Sequence, residues 1–84
     1  MDLQGLFEAA VSNSKTLTTK PDNEMLLKLY ALYKQAENGD LQADPPENAF
    51  DFVARAKYNA WLAMKGKSKE TAQQEYVDLV KSLQ

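Results

Sequence analysis

Apolar residues recur along this chain in four blocks, and in each block the spacing is that of a helix. The first runs from about Asp2 to Ser14, where Leu3, Leu6, Phe7, Ala10 and Val11 fall on one face at intervals of three and four. Three threonines between Thr16 and Lys20 then break the pattern, because β-branched residues are poor helix material. The second block runs from about Pro21 to Glu37. Proline suits a first helical turn, and Asp22 and Glu24 favour the positive end of the helix dipole. Met25, Leu26, Leu29, Leu32, Tyr33 and Ala36 form its stripe, and Leu27 and Tyr30 widen it beyond one packing face. A helix with so broad an apolar surface is either central or faces a core on one side and a ligand on the other. Asn38-Gly39 ends it, with Gly39 placed for a positive-φ cap.

The connection from Asp40 to Asn48 contains Pro45-Pro46 and is too long for a tight antiparallel turn. It leaves room for the second and third helices to run parallel. The third helix is expected from about Ala49 to Met64, with Phe52, Val53, Ala56, Ala60 and Met64 as its core stripe and Lys57, Tyr58 and Trp61 beside it. Gly66 stops it. Ser68 then caps a fourth helix with Glu70 in its first turn and Ala72, Tyr76, Leu79, Val80 and Leu83 on the inner face. No strand alternation and no repeat is present, so the expectation is an all-α four-helix domain.

The length of 84 residues fits one domain, 1–84, with a modest core. Absence of both His and Cys removes the commonest general base, the usual zinc ligands and the thiol nucleophile. A net charge of −2 argues against nucleic acid as a partner. The N-terminal residues lack a basic segment followed by an apolar run, and no stretch reaches the length of a membrane span. These features are read as an intracellular, cytoplasmic monomer with no stable membrane insertion.

The candidate chemistry lies in Tyr30-Ala31-Leu32-Tyr33-Lys34-Gln35-Ala36. Tyrosines three apart share a helix face, and Lys34 adjoins the second. Two phenols and an ammonium on one patch suit a flat, hydrogen-bonding, anionic ligand. Packing alone offers another account, in which both rings sit in the bundle with their hydroxyls at the surface. A second run, Ala56-Lys57-Tyr58-Asn59-Ala60-Trp61, precedes Lys65-Gly66-Lys67-Ser68-Lys69-Glu70. Together these runs resemble the acyl-coenzyme A binding protein family, and the resemblance covers almost the whole chain.

The resemblance implies the four-helix, up-down-down-up bundle of that family and a site for fatty acyl-CoA. It implies that Tyr33 meets the adenine ring, and that Tyr30, Lys34 and Lys57 serve the 3′-phosphate. By the same match Tyr76 closes over the nucleotide and Lys15 reaches the head group, although Tyr76 also suits a core. Met25 and Leu26 match positions lining the acyl groove, and Phe7 fits either groove or core. Trp61 matches a family tryptophan expected in the core, whereas Tyr58 stands where the family commonly has Trp. Two connections differ from the family pattern: Pro21 to Met25 is one residue shorter and Asp40 to Phe52 one longer. The implied work is that of a non-enzymatic carrier and pool former for medium- to long-chain acyl-CoA, without a cofactor, handing its cargo to acyl-CoA-using enzymes. The competing readings are a helical protein-interaction module without ligand binding, and an enzyme acting on acyl-CoA. The second lacks any His, Cys or carboxylate pair to carry it.

Overall fold

Four helices account for the regular structure of the computed structural model, which describes residues 2–84: α1 (Leu3–Ser14), α2 (Asn23–Asn38), α3 (Phe52–Leu62) and α4 (Lys69–Leu83). A side chain starts each of them. The Asp2, Asp22 and Asp51 carboxylates accept from the backbone N–H of Gly5, Met25 and Ala54, and the Ser68 hydroxyl accepts from that of Thr71. Such a cap is worth about 1 kcal/mol, because it satisfies an amide that has no partner within the helix. The caps also correct two expected boundaries. With Asp22 as cap, α2 starts at Asn23 rather than Pro21, and with Asp51 as cap, α3 starts at Phe52 rather than Ala49.

Residue pairings set the directions. Gln73 donates to Gln4 near the starts of α4 and α1, and Ala10, Asn13, Val77 and Lys81 meet further along, so these helices are parallel. Gln35, near the end of α2, bonds Lys67 just before α4, while Lys28 lies near Asp78 and Leu79, so α2 and α4 are antiparallel. Asn23 and Leu26 lie by Phe52 and Val53, and Trp61 bonds the far end of α2, so α2 and α3 are parallel. The result is up-down-down-up.

The core is built by α1, α2 and α4 alone. Phe7 and Ala10 meet Leu29, Leu32 and Ala36 from α2, and Ala72, Tyr76, Val77 and Val80 from α4. No residue of α3 is buried, which corrects the expectation that Phe52 and Val53 are core: they are 72% and 66% exposed. The Cα trace measures 41 × 28 × 15 Å. Its thin dimension is about that of two helix layers with axes 8–10 Å apart. In so flat a molecule α3 rests on α2 only, and most of its apolar side faces outward.

A polar junction holds the far ends of the helices together. Gln35 is fully buried and satisfied, its amide donating to Asp40 Oδ1 (2.8 Å) and to the Lys67 carbonyl (2.7 Å). The Trp61 indole N–H donates to Gln35 Oε1 (3.1 Å) and to the Gly39 carbonyl (2.9 Å). Gly39 carries φ +79°, which lets the chain turn back toward that indole. The Gly66 N–H completes the junction by donating to Asp40 Oδ1.

The Gly66 amide first, and the Gln35 amide second, hold the Asp40 carboxyl below its ordinary value of 3.8. A carboxylate depressed in the folded state contributes stability in full above its unfolded pKa and loses it as pH falls through the folded one. Asp40→Asn is therefore expected to melt below the parent protein at neutral pH, with the gap closing as pH falls past the ordinary carboxyl value of 3.8 and through the lower folded one. Melting curves across that range check this, and a gap that stays constant would remove Asp40 as the titrating group.

Candidate functional site

The parallel course of α2 and α3 brings two i, i+4 pairs into register. Tyr30 and Lys34 stand one turn apart on α2, and Lys57 and Trp61 one turn apart on α3. Each rung places a cation over a ring of the opposite helix. Lys57 Nζ lies 5.4 Å from the Tyr30 ring centroid, and Lys34 Nζ lies 5.1 Å from that of Trp61. The indole is already fixed by its hydrogen bonds to Gln35 and Gly39, so Lys34 rests on an immobile surface. Contacts of this kind contribute about 0.5–1 kcal/mol at exposed sites and leave the ammonium protons free to donate elsewhere. Neither lysine has a carboxylate partner: among the described residues the single salt bridge joins Lys67 to Glu75 at 2.6 Å. Two ammonium groups without counter-anions, fixed along one seam, make a receptor for a compact anion such as a phosphate.

An aromatic corner adjoins the seam. Tyr33 lies 6.1 Å from Phe7 and 6.4 Å from Tyr76 between ring centroids, and Phe7 meets Tyr76 edge-on at 5.2 Å. Phe7 is 1% exposed and serves as the hidden support beneath the two tyrosines. The Tyr76 hydroxyl bonds Ser14 Oγ at 3.1 Å, and Ser14 in turn donates to the Val11 carbonyl. Burial, and to a lesser degree the neighbouring Tyr33 phenol, raise the Tyr76 phenol above its ordinary value, against the opposing effect of the Ser14 bond. Tyr76 thus stays a neutral phenol at physiological pH. Around it, Ser14, Leu17, Pro21, Leu29, Tyr30 and Tyr33 enclose a cavity of about 270 Å³.

A larger cavity of about 370 Å³ opens between α2 and α3. Leu26, Leu27, Phe52, Val53 and Ala56 make it apolar, with Tyr30 and Lys57 as polar members about two turns from its Asn23 end. A volume of this order lies within the range of small-molecule sites. The two cavities adjoin, because Leu26 and Tyr30 line both.

The residues singled out from sequence are thus distributed unevenly. Tyr30, Tyr33, Lys34, Lys57 and Tyr76 gather at the seam and corner. Lys15 is exposed just past α1, beside Ser14, and Met25 is half-buried and lines neither cavity. Sequence reasoning missed Leu27, Phe52, Val53 and Ala56 as cavity walls, and Gln35 and Asp40 as the junction that fixes Trp61. A signal was present for α3: its stripe carries Ala56 and Ala60 where a core helix carries larger side chains, and small residues leave a groove. For Gln35 the signal was a lone amide between apolar Leu32 and Ala36.

Among the described residues no cluster of His, Cys, Asp and Glu could hold a metal ion, and no helix is long and apolar enough to cross a membrane. The family described as Acyl CoA binding protein matches residues 4–80. The chain is 49% identical over 77 residues to the acyl-CoA-binding protein of Dictyostelium discoideum, covering 92% of this chain and 90% of that one. It is 52% identical over 77 residues to enoyl-CoA delta isomerase 2 of Rattus norvegicus, covering 92% of this chain but spanning only 19% of the isomerase. Acyl-CoA-Binding Protein 2 of Oryza sativa superposes with a TM-score of 0.92 at 43% identity, covering 98% of this chain and 90% of the other.

Proposed function

Because this chain belongs to the acyl CoA binding protein family, we propose that it binds medium- to long-chain fatty acyl-CoA esters and carries them between the enzymes that make and use them. The observation that supports this most directly is the adjacency of two opposite environments. Two lysines without counter-anions lie on an aromatic seam, and one of them, Lys57, also lines a cavity walled by Leu26, Leu27, Phe52, Val53 and Ala56. A polyanionic nucleotide joined to a hydrocarbon tail needs both at once.

In this reading Lys34, Lys57 and the Tyr30 hydroxyl hold the 3′-phosphate. Tyr33 stacks on the adenine, with Tyr76 at its edge and Lys15 at the rim. The tail lies between α2 and α3 against Leu26, while Phe7 acts only through the two tyrosines it supports and Met25 stands outside the groove. Residues 1–84 act as one acyl-CoA binding unit, a cytoplasmic monomer that leaves the thioester intact and needs no cofactor. The apolar tail supplies much of the binding energy, and the head group separates CoA esters from free fatty acids.

Calorimetric titration with hexadecanoyl-CoA, free CoA and hexadecanoate tests the reading. The ester is expected to bind one to one and more than about a hundredfold tighter than either fragment, since each buried methylene contributes about 0.8 kcal/mol. Tyr33→Phe should keep most of the affinity and Tyr33→Ala lose much of it, whereas Tyr30→Phe should already weaken binding. An ester that binds no better than free CoA would overturn the carrier role, and one that does not bind at all would leave an interaction module.

A further inference from the structure

The two cavities are separated by a ridge only two residues long. Leu26 and Tyr30 stand one turn apart on α2 and are the residues common to both linings. Their sequence neighbours do not share this position. Leu27 lines only the larger cavity, Leu29 only the smaller, and Met25 neither. Tyr30 is held under the Lys57 ammonium, and in the reading above its hydroxyl serves the 3′-phosphate. Leu26 is plain hydrocarbon, 37% exposed, and stands outside the cluster that closes the core.

The walls on the two sides of Leu26 differ in kind. Toward α3 they are Leu27, Phe52, Val53 and Ala56; toward α1 they include three tyrosines, but also Leu17, Pro21 and Leu29. Hydrocarbon therefore continues past Leu26 into the smaller cavity, and of the two ridge residues Leu26 is the apolar one that stands between these walls. We infer that Leu26 is a specificity-determining divider: it confines the acyl tail to the α2–α3 cavity and so sets the width of tail the site accepts. This rests on the acyl-CoA carrier reading above. Shortening Leu26 makes room for a methyl branch on the ridge itself. Enlarging it crowds the tail on the α3 side.

The experiment uses the full chain with Leu26→Ala and Leu26→Phe, each first shown by circular dichroism and melting to be folded. Each is titrated with hexadecanoyl-CoA, with 3,7,11,15-tetramethylhexadecanoyl-CoA and with free CoA. The ratio of branched to straight affinity is expected to rise roughly tenfold in Leu26→Ala and to fall by a similar factor in Leu26→Phe, the discrimination that one methylene brings in an apolar pocket. Free CoA reports on the head-group cavity, which Leu26 also lines, and each ester affinity is taken relative to it. A ratio that stays put, or moves the same way in both variants, overturns the divider while leaving the carrier reading intact. Failure of the parent protein to bind either ester fails the carrier reading itself, and the divider with it.

Discussion

Replacing both Lys34 and Lys57 with alanine is expected to reduce affinity for a long-chain acyl-CoA by several orders of magnitude. A hydrogen bond to a charged group contributes about 1.5–3 kcal/mol, so either single substitution should weaken binding roughly tenfold to a hundredfold. Since both lysines would bond one phosphate, the double variant should lose somewhat less than the product. The fold should tolerate the change. Neither side chain is in an ion pair, and each gives up only a cation–π contact worth about 0.5–1 kcal/mol. The discriminating measurement is titration with the matching 3′-dephospho ester, for which the losses should shrink markedly. Raising ionic strength should weaken the parent protein more than the double variant, because screening acts on the charges that have been removed. Equal losses on the phosphorylated and dephosphorylated ligands would place these lysines away from the 3′-phosphate. Lys15, exposed at the end of α1, is expected to have a smaller effect.

Lengthening the acyl chain should strengthen binding in steps until the α2–α3 cavity is full. Two methylenes contribute at most about 1.6 kcal/mol, or roughly tenfold in affinity. The gain should then level off, because further carbons remain in water. Phe52 and Val53 are unusual among large apolar side chains in being 72% and 66% exposed while walling a cavity. Changing both to serine should hardly alter the melting temperature, since substitutions at exposed positions lie mostly within about 0.5 kcal/mol. The same change should flatten the dependence on chain length and leave free CoA unaffected. Calorimetry over a series from butanoyl- to octadecanoyl-CoA reads both quantities. Affinity independent of chain length in the parent protein would mean that the tail is not sequestered. A full length dependence in the serine variant would move the tail to another surface.

The helices themselves were largely legible in the linear pattern. Leu29, Leu32 and Ala36, with Ala72, Tyr76 and Val80, recur at helical spacing and are buried in the structure. The fourth cap, Ser68, was recognisable from its type and position. Asp22 and Asp51 were not recognised as caps, because a proline and an alanine upstream were compatible with an earlier start. Whether such a residue stays outside the helix depends on the loop that feeds it.

The face that α3 turns inward was a different matter. Periodicity reports that Phe52, Val53 and Ala56 share a side of a helix, but not whether a partner covers that side. That depends on how many helices reach the core. Here α1, α2 and α4 close it among themselves, and α3 is left attached to α2 through the cation–π seam and the Gln35–Trp61 junction. By its own sequence, then, this protein is committed to four helices, to an apolar stripe on each of them, and to a tyrosine–lysine run with the groups an anionic, aromatic ligand would need. Only the tertiary structure paired Tyr30 with Lys57 and Lys34 with Trp61, opened the apolar side of α3 as a cavity wall, and set Leu26 on the ridge between two cavities. The physical reason is that spacing along one helix is a local property. Apposition across helices is set by the competition of all four for a single small core.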